Sequence, residues 1–194
     1  MTLVFSAWFY AIYWLADNYT GSLATRHRVD FAFEAAIPFW PWAILIYMTI
    51  TPLLLLAPFV LRSRRRVMPL FVALCCEVAV AGVTFVLYPA EIGYRHDPVT
   101  GILAWPYAAA KQVNLTYNLV PSLHVAFAVT AAAVLGRAGG RSWGRFIWLW
   151  AAAIVASTFV THEHHVVDVV AGGLLAGIAV RFVHDPLQRR TTVG

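Results

Sequence analysis

The sequence predicts an all-α, polytopic membrane protein with six transmembrane helices in one bundle. Its 194 residues are 61% hydrophobic and only 12% charged, and the mean hydropathy of +0.71 lies outside the range of soluble domains. Apolar runs also recur along the whole chain at about the length that a helix needs to cross a bilayer. Because no linker separates these runs, we expect residues 1–194 to form a single domain.

Six apolar runs give the predicted helices in chain order. The first run is short for a membrane span, so five helices is the alternative count. It has no basic residue ahead of it and no convincing small-residue cleavage site, and we therefore interpret it as a helix and not as a signal peptide. The runs cover residues 3–16, 38–61, 67–88, 121–136, 146–161 and 166–183.

The basic residues predict the orientation, because Lys and Arg are enriched in cytoplasmic loops. Ten of the 14 Lys and Arg residues follow the second, fourth and sixth runs, and the net charge of +5 is therefore a topology signal and no indication of nucleic-acid binding. We expect an integral protein of a bacterial inner membrane with both termini in the cytoplasm. The remaining four basic residues fall on the outer face and are Arg26, Arg28, Arg95 and Lys111.

Titratable residues gather at the predicted outer end of the sixth helix, in the segment VTHEHHVVDVVAGG at 160–173. His164 and Asp168 are four residues apart, so on one helical face the carboxylate can accept a hydrogen bond from one ring nitrogen and leave the other free. A nucleophile or a base is oriented in this way. A carboxylate one turn into a membrane helix is also unfavourable enough to indicate function.

The fourth helix opens with PSLH at 121–124, which predicts an anion site. Pro121 suits the first turn of a helix, where unpaired backbone N–H groups and the Ser122 hydroxyl can bind an anion. His124 lies in the same turn, and a histidine beside bound phosphate can protonate a leaving oxygen.

Together these motifs resemble a known family. PSLH, followed about forty residues later by His164-x-x-x-Asp168, is similar to the second and third signature motifs of the type 2 phosphatidic acid phosphatase superfamily, which includes lipid phosphate phosphatases and vanadium haloperoxidase-like proteins. Leu123, the preceding Tyr117-Asn118, and the segments STFVTHEHHVVDVVAG and RVDFAFEAAIPFWPW resemble the branch that contains inositol phosphorylceramide synthases.

The resemblance implies a six-helix membrane core and a site that needs neither metal nor cofactor. It implies that His164 attacks phosphorus to give a phosphohistidine, that Asp168 orients His164, and that His124 protonates the departing alcohol. Ser122 and the backbone around it would hold phosphate oxygens. His165 occupies a place where the family often has an aromatic residue, which indicates a packing role.

Two cations of the family pattern are missing from this chain. The first motif, a lysine followed after six residues by Arg-Pro, is absent, and Thr158 stands where the third motif has an arginine. Because a phosphoryl transition state needs positive charge around its equatorial oxygens, another outward cation should supply it. Arg95, in the segment before the PSLH helix, is our preferred candidate, and Lys111 and Arg28 follow.

Two other interpretations of the histidines are open. His124, His162, His164, Asp168 and Glu163 could form a zinc shell, but HEHH is not H-E-x-x-H, and Glu163 is expected to project off the face shared by the catalytic pair. A non-catalytic bundle, such as a transporter with pH-sensing histidines, is the second alternative.

The interpretation that we favour is a membrane-embedded lipid phosphatase that cleaves a phosphomonoester or pyrophosphate of a polyprenyl lipid or glycerolipid through a phosphohistidine. Its partners are the lipid substrate and the bilayer, with no nucleic acid and no specified oligomeric state. A head-group phosphotransferase with an alcohol acceptor is the alternative, since both reactions share every step up to the phosphohistidine. In the sixth helix, Gly173 and Gly177 form a G-x-x-x-G pattern that predicts a close-packing face.

Overall fold

The structure, a computed structural model, describes residues 2–95, 98–114 and 116–193. In these ranges the chain forms seven main helices. Three of them combine segments of different helical type: α2 begins with a 3₁₀ turn, α5 ends with a 3₁₀ turn at Gly136–Ala138, and α7 passes through a π-helical stretch at Ala179–His184. The helices are α1 (Thr2–Ser22), α2 (Pro41–Leu61), α3 (Arg64–Leu87), α4 (Ala104–Asn114), α5 (Leu123–Ala138), α6 (Arg141–Val160) and α7 (Val166–Thr191).

Four of these helices, α2, α3, α6 and α7, are long and apolar enough to cross a membrane, and α5 is apolar but shorter. The chain is thus a helical membrane protein. All six predicted apolar runs coincide with helices, whereas the count of six complete spans stays a prediction. Helix α4 was not predicted, because its sequence AWPYAAAKQVN is neither long nor uniformly apolar.

Helix α5 lies at the centre of the fold and packs against α2, α3, α6 and α7. It buries almost every side chain of its first thirteen residues, since small residues such as Ala126, Ala128 and Ala132 let neighbouring helices approach closely. The buried Glu77 of α3 finds a partner here, because the Thr130 hydroxyl donates to its carboxylate.

The closest approach between α5 and α7 occurs where the two sequence motifs meet. A Cβ atom at Gly172 would lie 2.4 Å from the carbonyl oxygen of Ser122, so only glycine allows this contact. The backbone N–H of Ser122 also donates to the carbonyl of Asp168 at 3.0 Å. The prediction that Gly173 and Gly177 form the packing face was wrong, because both face open space.

The two ends of helices α5 and α7 carry different polar groups. Helices α5 and α7 both begin near the histidines, and at their far ends Arg137 forms an ion pair with Asp185 at 2.9 Å. At the histidine end, β1 (His27–Arg28) and β2 (Ala90–Glu91) form a short parallel pair. The chain continues from β1 into a 3₁₀ turn at Ala32–Ala36. These segments lie beside the turn between α6 and α7.

Candidate active site

The structure brings the three predicted catalytic residues together where α5 and α7 begin. His164 lies in the turn between α6 and α7, His124 lies in the first turn of α5, and the centroids of their rings are 6.1 Å apart. Asp168 is fully buried, and the His164 side chain is only 6% exposed. Their assigned roles in catalysis remain predictions.

The contact between His164 and Asp168 is present, but it arises differently from the expected helical-face pairing. His164 Nδ1 lies 2.6 Å from Asp168 Oδ2. Helix α7 begins only at Val166, so His164 precedes the helix. Asp168 reaches back over the first turn, and its Oδ1 accepts a hydrogen bond from the backbone N–H of His165 at 2.7 Å. One carboxylate therefore caps α7 and orients the imidazole.

His124 contacts Tyr47 of α2, a residue that no sequence motif indicated. The two rings stack with centroids 4.1 Å apart, and the Tyr47 hydroxyl lies 3.1 Å from His124 Nδ1. In the imidazolium form, His124 Nδ1–H donates to the Tyr47 hydroxyl oxygen and a second proton lies on Nε2. This form can act as a general acid through Nε2.

A polar cavity of about 280 Å³ opens beside His164. In it, Lys111 Nζ of α4 lies 3.0 Å from Glu163 Oε1. The expectation that Glu163 projects away from the catalytic face was wrong, because residues 161–165 form a turn and not a helix. The cavity is lined by Tyr13, Ile92, Lys111, Thr116, Asn118, Leu119, Glu163 and His164.

Of the four cations predicted to face outward, Lys111 is the one that lines this cavity, among the residues that the structure describes. Arg95 is exposed and is not a lining residue, so the geometry does not favour it as the first choice. Arg26 pairs with Glu91 at 3.4 Å. Arg28 pairs with Asp30 at 2.9 Å, and this hydrogen bond lowers the pKa of the Asp30 carboxyl.

Ser122 caps α5 instead of lining either cavity. Its side chain is fully buried, and its hydroxyl oxygen accepts a hydrogen bond from the backbone N–H of Val125 at 3.3 Å. The predicted binding of phosphate oxygens by Ser122 is therefore an addition to this capping role and stays a prediction.

A second cavity of about 280 Å³ is apolar and opens beside His124. It lies between α1, α2, α4 and α5, and Tyr13 lines both cavities. Its lining consists of Phe5, Ser6, Phe9, Tyr10, Tyr13, Tyr47, Met48, Ile50, Thr51, Leu54, Leu55, Ala110, Val113, Leu123, His124 and Phe127. The two histidines thus mark the junction of a polar and an apolar space.

The zinc alternative depends on His124, His162, His164, Asp168 and Glu163 sharing one ion. Over the described ranges, no three His, Cys, Asp or Glu side chains are grouped so that they could hold a metal. His162 instead stacks on Tyr94 with centroids 4.1 Å apart, and its Nε2 lies 3.0 Å from the carbonyl oxygen of Ile37.

The fold and the site define a helical membrane protein in which a histidine bonded to a carboxylate lies near a second histidine. The family model of the PAP2 superfamily matches residues 25–182. The chain therefore belongs to the type 2 phosphatidic acid phosphatase superfamily, whose members are generally phosphatases acting on phosphate-bearing, lipid-like substrates. Comparisons with curated proteins and with solved structures give no match.

Proposed function

We propose that the protein is a membrane-embedded lipid phosphatase that uses His164 as its nucleophile and requires no metal or cofactor. The observation that carries this proposal is the position of the two histidines, 6.1 Å apart, at the junction of a polar and an apolar cavity. A lipid phosphate has the same division, with a charged head joined to an apolar chain. The outer face of a bacterial inner membrane is the proposed location.

The first step forms a bond from His164 Nε2 to phosphorus and breaks the bond from phosphorus to the lipid oxygen. The Asp168 carboxylate stabilises the imidazolium that develops, as it already bonds Nδ1. His124, which enters this step as the imidazolium, gives its Nε2 proton to the departing lipid alcohol and becomes neutral. Lys111 offsets negative charge on the equatorial oxygens.

The second step returns the enzyme to its starting state. Water attacks phosphorus, the bond from phosphorus to His164 breaks, and His124 takes up a proton from the water. Inorganic phosphate leaves, and both imidazoles regain their initial protonation. For a pyrophosphate substrate the same sequence applies, with the lipid monophosphate as the leaving group.

Head-group transfer is the second candidate, favoured by the size and lining of the polar cavity. Its volume of about 280 Å³ exceeds that of a single water, which occupies about 30 Å³ in the liquid. Asn118, Thr116 and Glu163 along its wall can bind hydroxyl groups. In this reaction an alcohol replaces water in the second step.

The test is phosphate release by the detergent-purified protein from a panel of polyprenyl and glycerolipid phosphates and pyrophosphates, with EDTA present. His164→Ala removes the nucleophile and Asp168→Asn removes the carboxylate that orients it, so each should lower turnover by at least about 10³-fold. His184→Ala, which removes a buried histidine near the opposite end of the bundle, should retain turnover.

Each result separates the candidate functions. Release by the wild type and by His184→Ala, but not by His164→Ala, supports the phosphatase. Radiolabel transferred from the lipid phosphate to glycerol or inositol, with little free phosphate, supports head-group transfer. Full activity of His164→Ala would refute the nucleophile assignment, and activity abolished by EDTA would favour a metal enzyme.

A further inference from the structure

The Glu34 carboxylate connects three separate segments of the chain beside the catalytic turn. Glu34 belongs to the 3₁₀ turn at Ala32–Ala36 and is only 1% exposed. Its Oε1 accepts a hydrogen bond from the backbone N–H of Val166 at 2.9 Å. Its Oε2 accepts hydrogen bonds from His165 Nδ1 and, at 3.4 Å, from the Tyr94 hydroxyl.

The hydrogen bonds of His165 determine its tautomer. The backbone N–H of Gly93 donates to His165 Nε2 at 2.9 Å, so this nitrogen carries a lone pair. The ring proton is then on Nδ1 and is donated to Glu34. His165 is therefore a neutral imidazole with both nitrogens in use, whereas His164 uses only Nδ1 in the Asp168 bond and keeps Nε2 for the substrate.

Tyr94 contacts both members of the Glu34–His165 pair. Its ring stacks on His165 with centroids 4.3 Å apart and on His162 at 4.1 Å. Burial, together with the nearby Glu34 carboxylate, raises the pKa of the Tyr94 hydroxyl. The hydroxyl thus stays protonated and remains a donor to Glu34.

Two carboxylates hold successive backbone N–H groups at the start of α7. Asp168 Oδ1 accepts from His165, and Glu34 Oε1 accepts from Val166. Asp168 comes from within the helix, whereas Glu34 comes from a segment more than a hundred residues earlier. Without Glu34, the Val166 N–H and the His165 ring would lose the acceptor that ties the start of α7 to the Ala32–Ala36 turn.

We propose that Glu34, acting with His165, is a positioning residue for the nucleophile: it fixes the turn at 162–166 so that His164 Nε2 remains directed into the polar cavity. Glu34 is not among the residues that line either cavity, so it acts through the turn and not on the substrate. This inference rests on the proposed function of His164.

The test compares Glu34→Gln, His165→Phe and the double variant with the wild type. Glutamine keeps the size of Glu34, but its NH₂ group replaces one of the two acceptor oxygens. That NH₂ group would face another donor, either His165 Nδ1–H or the Val166 N–H. Phenylalanine keeps the stack on Tyr94 and removes both ring nitrogens. Glu91→Gln is the matched control, because it removes a partly exposed carboxylate of β2 from the same end of the protein.

We expect Glu34→Gln and His165→Phe each to lower kcat by about 10-fold to 100-fold, because a displacement of about 1 Å at a reacting group has effects of this size. KM should stay within about threefold, since the polar cavity is left intact. The double variant should be no slower than the slower single variant, as expected for residues that act as one unit. Glu91→Gln should behave as the wild type.

Unchanged kcat in both single variants, or losses that simply add in the double variant, would overturn the inference. A second readout, which needs no turnover, is the hydrogen-bonded Nδ1 proton of His164 in ¹⁵N-histidine NMR spectra. Loss or displacement of this resonance in Glu34→Gln, but not in Glu91→Gln, supports positioning, and an identical resonance in both refutes it. If the wild type releases no phosphate while this resonance responds to Glu34→Gln, the proposed function fails and the positioning stands.

Discussion

The two cavities at the histidine end of the protein have the same volume, about 280 Å³ each, but differ in the residues that line them. The cavity at His164 contains the ion pair of Lys111 and Glu163. The cavity at His124 is formed mainly by aromatic and aliphatic side chains of four helices. Tyr13 separates them and lines both. The site is therefore divided into a part for charged groups and a part for hydrocarbon.

For the proposed reaction, this division predicts which histidine lies beside the phosphoryl group and which lies beside the leaving oxygen. If the phosphoryl group lies beside His164, the bond to be broken points towards His124 and the apolar cavity. The group that leaves is then the lipid alcohol, or a lipid monophosphate, and the group that stays on His164 is in the polar cavity. Hydrolysis and head-group transfer differ only in what enters the polar cavity next.

Among substitutions in the two cavities, removal of the Lys111 cation from the polar cavity should have the largest effect on phosphate release. Lys111→Met should lower kcat/KM for phosphate release by about 10²-fold, as does the loss of one donor to a developing oxyanion. Because Lys111→Met also leaves Glu163 without its 3.0 Å partner, protein stability should be followed by thermal unfolding in the same preparations.

Substitution of Glu163 distinguishes the loss of the Lys111 charge from the loss of the ion pair that Lys111 forms with Glu163. Lys111→Met with Glu163→Gln should recover stability but not activity. Glu163→Gln alone should match or exceed the wild-type rate, since Lys111 no longer shares its charge with a carboxylate. Wild-type activity of Lys111→Met would transfer the role of the cation to Arg95 or Arg28.

A smaller effect is expected from narrowing the apolar cavity. Ser6 of α1 lines it, and Ser6→Phe should occupy space that the lipid chain needs. If two methylene groups of the chain lose their burial at about 0.8 kcal/mol each, KM for a long-chain substrate should rise by about tenfold. Hydrolysis of a short, water-soluble phosphomonoester should change little.

The control for this substitution is Ser22→Phe, which adds the same ring at an exposed position of the same helix. It should leave KM unchanged for both substrates. An equal loss for long-chain and short-chain substrates in Ser6→Phe would show that the cavity does not receive the lipid chain. Kinetics in mixed micelles with a fixed surface fraction of substrate provide the measurement.

Local patterns were sufficient to predict six of the seven main helices in the described ranges and the contact between His164 and Asp168. Apolar runs mark the helices directly, and a spacing of four residues permits the contact even though α7 begins after His164. The Gly172 approach was missed because a small-residue pattern identifies a stretch of α7 but not which glycine faces α5.

Contacts between distant segments could not be predicted from one sequence. Lys111 meets Glu163 because the short helix α4 folds over the site, and no periodicity in the sequence indicates this. Tyr47 and Glu34 look like ordinary residues of apolar segments, and they acquire their importance from His124 and His165. The order of the candidate cations depends on the same kind of contact, since motif position favours Arg95 and the cavity lining favours Lys111.

The smallest expected effect is on the free energy of unfolding, and it comes from the ion pair of Arg28 and Asp30. This pair lies on the segment that leads from β1 to the turn that contains Glu34. The Arg28 guanidinium donates twice to the Asp30 carboxylate, at 2.9 Å each, and also lies 3.4 Å from the carbonyl oxygen of Gly93. Because more than half of the Arg28 side chain is exposed, Asp30→Asn should lower the free energy of unfolding by less than about 1 kcal/mol at neutral pH.

The pH dependence of this effect follows from the direction of the pKa shift. The hydrogen bond from Arg28 lowers the pKa of Asp30 from its ordinary value of 3.8. The stabilisation is thus present above pH 3.8 and is lost as the pH falls through the lower pKa of the folded state. Thermal unfolding of wild type and Asp30→Asn should differ at about pH 7 and converge once the pH falls below the lowered pKa of Asp30. A difference that persisted at low pH, or that about 1 M salt did not reduce, would mean that Asp30 acts through packing against Gly93 and not through its charge.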